Sequence, residues 1–253
     1  MNWTKLSSII LLVLLTTTVG AQDKNVLLKE AENFERQRNE AEALNKYKEV
    51  LVLDPSNAKA LVKATEMNVS LGNRLAKPEQ QKIYFETALS FARRASALEP
   101  LTADAAYAMA LASGKMTDVE KENKKIVAWV KEVHTWSEKA LQIQPNHARA
   151  LYTLGKWHFE MVTLAGYKKA AVKLFYGGLP EANLDKAIAA MEKCKTLEPY
   201  FAPNYLDLAL AYKENNQVDK ALENLNKLVK LPSRSSDDVA AKSAGQELLN
   251  KMQ

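Results

Sequence analysis

The chain has one cysteine, three histidines, eight glycines and no long run of a single charge in its 253 residues. With Cys194 alone, no intrachain disulfide can form, so a folded core must hold the chain together. Cys194 lies in AIAAMEKCKTLEP at a position that should face that core, as a buried, inert thiol. The net charge is +5 without a basic block, which makes nucleic acid a poor partner. His134, His147 and His158 have no close His-x-x-x-His spacing, and no Cys-x-x-Cys exists. A metal site needs three or four converging ligands, so packing or capping is the expected role of these rings, and no metal or cofactor is expected. No Gly-x-Ser-x-Gly, phosphate-loop or dinucleotide pattern occurs. Gly177-Gly178 follows a helix-like segment and reads as a turn. No stretch reads as a strand: VLVL, residues 50–53, completes a helical face.

The longest apolar run is at the N-terminus. MNWTKLSSIILLVLLTTTVGA places Lys5 before an apolar stretch and ends on Val19-Gly20-Ala21. The stretch is short of the ~20 residues a membrane span needs, and its layout is that of a secretory signal peptide over residues 1–21. The alternative is a retained anchor. Export to the periplasm, the cell envelope or the exterior follows from the first reading, with one helical domain from residue 22 to 253.

What is abundant is alanine at helical spacing, interrupted by Asp54-Pro55, Glu99-Pro100, Gln144-Pro145 and Glu198-Pro199. Proline lacks an N–H and crowds the preceding turn, so each pair marks a helix stop and a restart. Ser56 or Asn57, Asn146 and Asn204 are candidate caps for the restarts. Counting back from the prolines, Ala43, Ala88 and Ala187 stand twelve residues before, and Ala95 and Ala140 five before. Small residues at set distances let neighbouring helices approach closely. Large ones fill the remaining inner positions: Tyr47, Val50 and Leu51, then Phe91 and Leu98, then Leu141, then Met191 and Leu197. After Pro145 and Pro199, Leu151-x-x-Leu154-Gly155 and Tyr205-x-x-Leu208-Ala209 form a helix face with a notch for close packing.

These segments, with Leu27, Ala31, Phe34, Tyr47, Tyr212 and Ala221 in place, resemble the tetratricopeptide repeat. The resemblance implies an all-α fold, a right-handed solenoid of antiparallel helix pairs. Pro55, Pro100 and Pro145 are 45 residues apart and Pro199 follows 54 later, against roughly 34 in the standard unit. Whole helical turns added to the second helices should absorb the first two excesses. The third contains YKKAAVKLF and Gly177-Gly178-Leu179-Pro180, a short extra helix and a firm stop near 167–180. Internal packing is its favoured role, ahead of a protein-contact edge or membrane contact.

From residue 148 to 232 a narrower likeness appears. Leu154-Gly155-Lys156-Trp157 and the turn Leu174-Phe175-Tyr176-Gly177-Gly178-Leu179-Pro180 before a repeat unit resemble the regulator of microtubule dynamics family, over roughly residues 82–253. The resemblance implies the repeat architecture and an adaptor role, without catalytic residues. An exported chain would not meet cytoplasmic tubulin.

A stack of rotated helix pairs curves, and its first helices line a concave face suited to an extended peptide or a partner helix. The polar positions expected there are Lys63, Glu66 and Asn68, then Arg149, Lys156 and Glu160, then Asp207, Lys213 and Asn216. The function read from the sequence is a non-catalytic protein- or peptide-binding scaffold. The alternative is a structural subunit of an envelope assembly, with an α-helical hydrolase using paired acids the least favoured.

Overall fold

The computed structural model describes residues 23–252; the signal-like segment lies outside them. Twelve helices make up the described chain. They are α1 (23–36), α2 (Glu40–Leu53), α3 (Ala58–Asn73), α4 (Pro78–Ser96), α5 (Ala103–Val119), α6 (Asn123–Ile143), α7 (Ala148–Thr163), α8 (Gly166–Tyr176), α9 (Leu184–Leu197), α10 (Ala202–Glu214), α11 (Val218–Lys230) and α12 (Ser236–Met252). No strand occurs among the described residues. The pairs α3/α4, α5/α6, α7/α9 and α10/α11 stack in order, so the fold is a tetratricopeptide-like helical superhelix.

Three of the four proline stops share one geometry. Asp54, Gln144 and Glu198 each donate their backbone N–H to the carbonyl four residues back, all at 2.8 Å. Three residues later, Asn57, His147 and Phe201 donate back to them at 3.0–3.1 Å, and the next helix begins. The Glu99-Pro100 stop differs: α4 ends in a tighter turn, the peptide bond is cis, and Thr102 caps α5. Two expected caps are corrected. His147 rather than Asn146 caps α7, its Nδ1 accepting from Ala150 N–H at 3.0 Å. Asn204 caps nothing. It is buried and donates to the Met191 carbonyl at 3.0 Å, tying α10 to α9, while Pro203 starts the helix where a missing N–H is harmless.

The extra turns are shared between both helices of a unit. α5 runs on through Gly114 to Val119, so α6 starts at Asn123. The glycine does not end the helix, because it faces Val133 without crowding it. In the last insertion α9 starts at Leu184, with Asn183 as its cap. α8 is an outlier. It touches α6, and none of its described side chains is buried.

The core runs along the stack. One cluster joins α1 through α5; Ala106, Tyr107, Ala140 and Ala150 join α5, α6 and α7; Met191, Leu208 and Tyr212 join α9 and α10; Tyr205, Leu225, Leu228 and Leu249 join α10 to α12. The alanines counted from the prolines, Ala43, Ala88, Ala95, Ala140 and Ala187, are all fully buried or nearly so. Leu197, expected inside, is exposed. Cys194 is fully buried and its thiol pKa is pushed up to about 12 by burial, which leaves it inert at neutral pH.

The two ends of the stack also meet. Arg74, just past α3, pairs with the nearly buried Glu40 at the start of α2. Its Nη1 donates to Ser236 Oγ at 3.1 Å, reaching 162 residues along the chain. Asn73 hydrogen-bonds the neighbouring Asp237, whose carboxyl pKa is raised by burial and by Glu40.

Each of these features predicts a measurable response. A Cβ at Gly155 would lie 2.9 Å from Met191 Cγ and 3.0 Å from the Ala187 carbonyl. Gly155→Leu should therefore cost about 3 kcal/mol and lower Tm by roughly 6–12 °C, and a Tm within 2 °C of wild type refutes the close packing of α7 on α9. Arg74→Ala should raise amide hydrogen exchange in the first turns of α12 by about tenfold or more, because it removes a charged hydrogen bond. Unchanged exchange there would show that α12 does not depend on this contact.

His158 is buried with its Nδ1 unpartnered, edge-on to Trp157 and 6.1 Å from the His134 ring. Burial, then His134 and Lys186, push its pKa down to about 4. The native state thus binds its proton less well than the unfolded chain. Stability falls as pH drops through about 6.5 and levels below about 4, by roughly 3 kcal/mol. Urea midpoints across pH 4–7 should show this slope, and His158→Phe should flatten it. An unaltered slope in that variant would place the titration elsewhere.

Candidate functional site

The stack curves around a continuous cavity of about 1950 Å³. Its walls are α3, α5 and α7, the start of α10 and the first two turns of α12. First helices form the wall because their partners, α4, α6, α9 and α11, take the outer layer. Small side chains on the inner helices, Ala110 and Gly114 among them, leave the space open.

Charged side chains in the wall are mostly paired across helices. Lys63 lies between Glu35 at 3.2 Å and Glu66 at 2.9 Å. Burial disfavours its ammonium, but the two carboxylates outweigh this and hold its pKa above the ordinary value. Lys156 on α7 reaches Asp207 on α10 at 3.0 Å, and Tyr152 OH donates to the same carboxylate oxygen at 2.6 Å. Here too burial opposes the ammonium while Asp207 and Glu160 raise its pKa. Glu160 is 3.7 Å from Lys156; its side chain is half exposed, and partial desolvation by the surrounding wall, then Asp207 and Asp118, raises its carboxyl pKa. Arg149 donates to Glu198 at 2.7 Å and lies 3.5 Å from the Phe201 ring centroid. His147, while capping α7, holds Asp104 at 3.0 Å, and that hydrogen bond lowers the Asp104 pKa.

Of the nine residues expected from sequence, the structure brings six to this cavity: Lys63, Glu66, Arg149, Lys156, Glu160 and Asp207. Three are corrected. Asn68 is buried, its amide donating to the Ala64 carbonyl at 2.7 Å, where α3 packs on its neighbours. Lys213 and Asn216 are exposed at the far end of α10 and the following turn, beyond the cavity. Sequence reasoning missed Tyr107, Tyr152, Tyr200 and Arg234, which also line the wall. The first two lie on first helices, but only charged and amide side chains there were expected to line the wall. Tyr200 lay in a segment read only as a helix stop, and Arg234 lay in the connection to the last helix. Among the described residues no group of three or more His, Cys, Asp or Glu side chains could hold a metal ion. No described helix is long and apolar enough to cross a membrane.

The fold resembles that of a thermophilic TPR protein of Thermus thermophilus, at a TM-score of 0.62 and 15% identity over 88% of this chain and 99% of that one. Regulator of microtubule dynamics protein 1 of Mus musculus is 24% identical over 173 residues, 68% of this chain and 56% of that protein. Regulator of microtubule dynamics protein 2 of Bos taurus is 26% identical over 102 residues, 40% of this chain and 25% of that protein. The chain thus spans about half the length of these relatives or less. The family model for Regulator of microtubule dynamics protein 1-3 matches residues 27–253. With nearly the whole repeat stack inside that match, this chain belongs to the regulator of microtubule dynamics protein 1-3 family.

Proposed function

We propose that the chain is a non-catalytic scaffold that holds a segment of a partner protein in its concave cavity. The observation that carries this reading is the cavity itself. At about 1950 Å³ it is roughly twice the largest ordinary small-molecule pocket. A helix 10–12 Å wide rising 1.5 Å per residue would fill it with roughly 12 to 16 residues. The wall offers side chains held in place by their neighbours, such as Tyr152 and Lys156 on Asp207. Such preorganisation lowers the entropic cost of holding a partner.

The relatives' name concerns microtubules, but this chain matches only part of each relative. The reading therefore stops at protein binding. Neither the fold nor the relatives favour the envelope-assembly alternative.

Site-directed photo-cross-linking in the native host tests the reading. A benzophenone amino acid at Thr153, inside the cavity, should capture a partner peptide; one at Val52, 79% exposed and outside the cavity, should not. Capture from Val52 alone would instead make the outer faces the working surface. Substitutions in follow-up should avoid Lys156→Glu, which would set a carboxylate against the nearly buried Asp207.

A further inference from the structure

The turn between α9 and α10 forms one lip of the cavity. Leu197 and Tyr200 line the cavity and are 40% and 46% exposed, the two large hydrophobic side chains of the described wall that stand this open. The turn that carries them is held from several sides. Glu198 N–H donates to the Cys194 carbonyl, Phe201 N–H to the Glu198 carbonyl, and Tyr205 OH to the Pro199 carbonyl at 3.0 Å. Phe201 is held between the Arg149 guanidinium and the edge-on Tyr152 ring, 4.9 Å away. The exposed apolar surface is therefore rigid before any partner arrives.

Arg234, from the α11–α12 connection, lies with its Cζ 3.9 Å from the centroid of the Tyr200 ring. Its backbone N–H donates to Asp238, but its guanidinium has no carboxylate partner among the described residues. This sets it apart from Lys59, Lys63, Arg74, Lys115, Arg149 and Lys156, each of which is already paired with a carboxylate. Arg38, on the α1–α2 turn, is the other cation of the wall without a carboxylate partner among the described residues, and none of their rings is stacked beneath it. Elsewhere in the wall the charges are already matched: Lys115 and Lys156 by Asp118, Glu160 and Asp207, and at the lip Arg149 by Glu198, while Asp238 accepts the backbone N–H groups of Arg234 and Ser235. An incoming carboxylate therefore finds an unclaimed guanidinium donor at Arg234.

We propose that Leu197, Tyr200 and Arg234 form an anchor for a partner segment that carries a leucine or aromatic side chain beside an aspartate or glutamate. The apolar side chain packs on Leu197 and the free part of the Tyr200 ring. The carboxylate takes the forked donors of Arg234, which the ring holds in one orientation. Tyrosine and arginine together are the usual composition of the few residues that dominate an interface. The proposal rests on the concave-face reading and adds to it the chemistry of the partner and the point of attachment.

The test uses the full chain and three fluorescein-labelled probes: a peptide of alternating leucine and glutamate, its leucine–lysine counterpart, and an all-glutamate peptide. In anisotropy titrations the leucine–glutamate peptide should bind, the all-glutamate peptide about tenfold more weakly, and the leucine–lysine peptide more weakly still. Arg234→Glu and Tyr200→Ala should each weaken the leucine–glutamate peptide by about tenfold or more at unchanged Tm. Lys173→Glu, on α8 outside the cavity, should leave it unchanged. Equal binding in the Arg234→Glu and Lys173→Glu variants, or a preference for the lysine peptide, overturns the anchor. Capture from Thr153 that persists alongside such a result leaves the cavity reading standing, whereas loss of that capture removes both.

Discussion

The close approach of successive helices through alanine and glycine is the constraint from which the rest of this structure follows. Gly155 against Met191 and Ala187, and Gly72 against Phe85, leave no room for a Cβ. Such contacts fix how far each helix pair is rotated from the last, and the sum of those rotations is the curvature. Were the pairs held apart by larger side chains, the same twelve helices would make a looser array without a defined inner wall.

The wall inherits its chemistry from that geometry. Side chains on α3, α5, α7 and α10 that would be separate surface groups on isolated helices are brought within hydrogen-bonding distance of one another. Lys156 and Asp207, 51 residues apart in sequence, become partners in this way. Pairing of this kind costs charges part of their hydration and returns it only where the geometry is good. It leaves the wall largely neutralised, with Arg234 standing out as a guanidinium that has no carboxylate partner among the described residues.

The helix stops and the repeat architecture were legible in the sequence because proline and alanine are local signals with one physical meaning each. A stop at Pro145 does not depend on what packs nearby. Caps were less legible. Asn146 and His147 are both able to accept a backbone N–H, but the helix restarts three residues past the stop, at His147 as at Asn57, and the ring then packs between Tyr107 and Asp104. For the site, six polar residues were found because a repeat unit fixes which face of its first helix turns inward. Asn68 was misplaced because a buried amide that satisfies itself on Ala64 looks, in sequence, like any surface asparagine. Tyr200 and Arg234 were invisible for a different reason. They come from two connections 34 residues apart that only the last two helix pairs bring together.

Repeat stacks ordinarily tolerate gain or loss of a unit, since each touches only its neighbours. The bridge from Arg74 to Ser236 adds a contact here that does depend on the number of units between its ends. One more pair between them would carry the last helix past its landing place, and one fewer would leave it short. A change in copy number would thereby cost this superhelix a contact that joins its two ends.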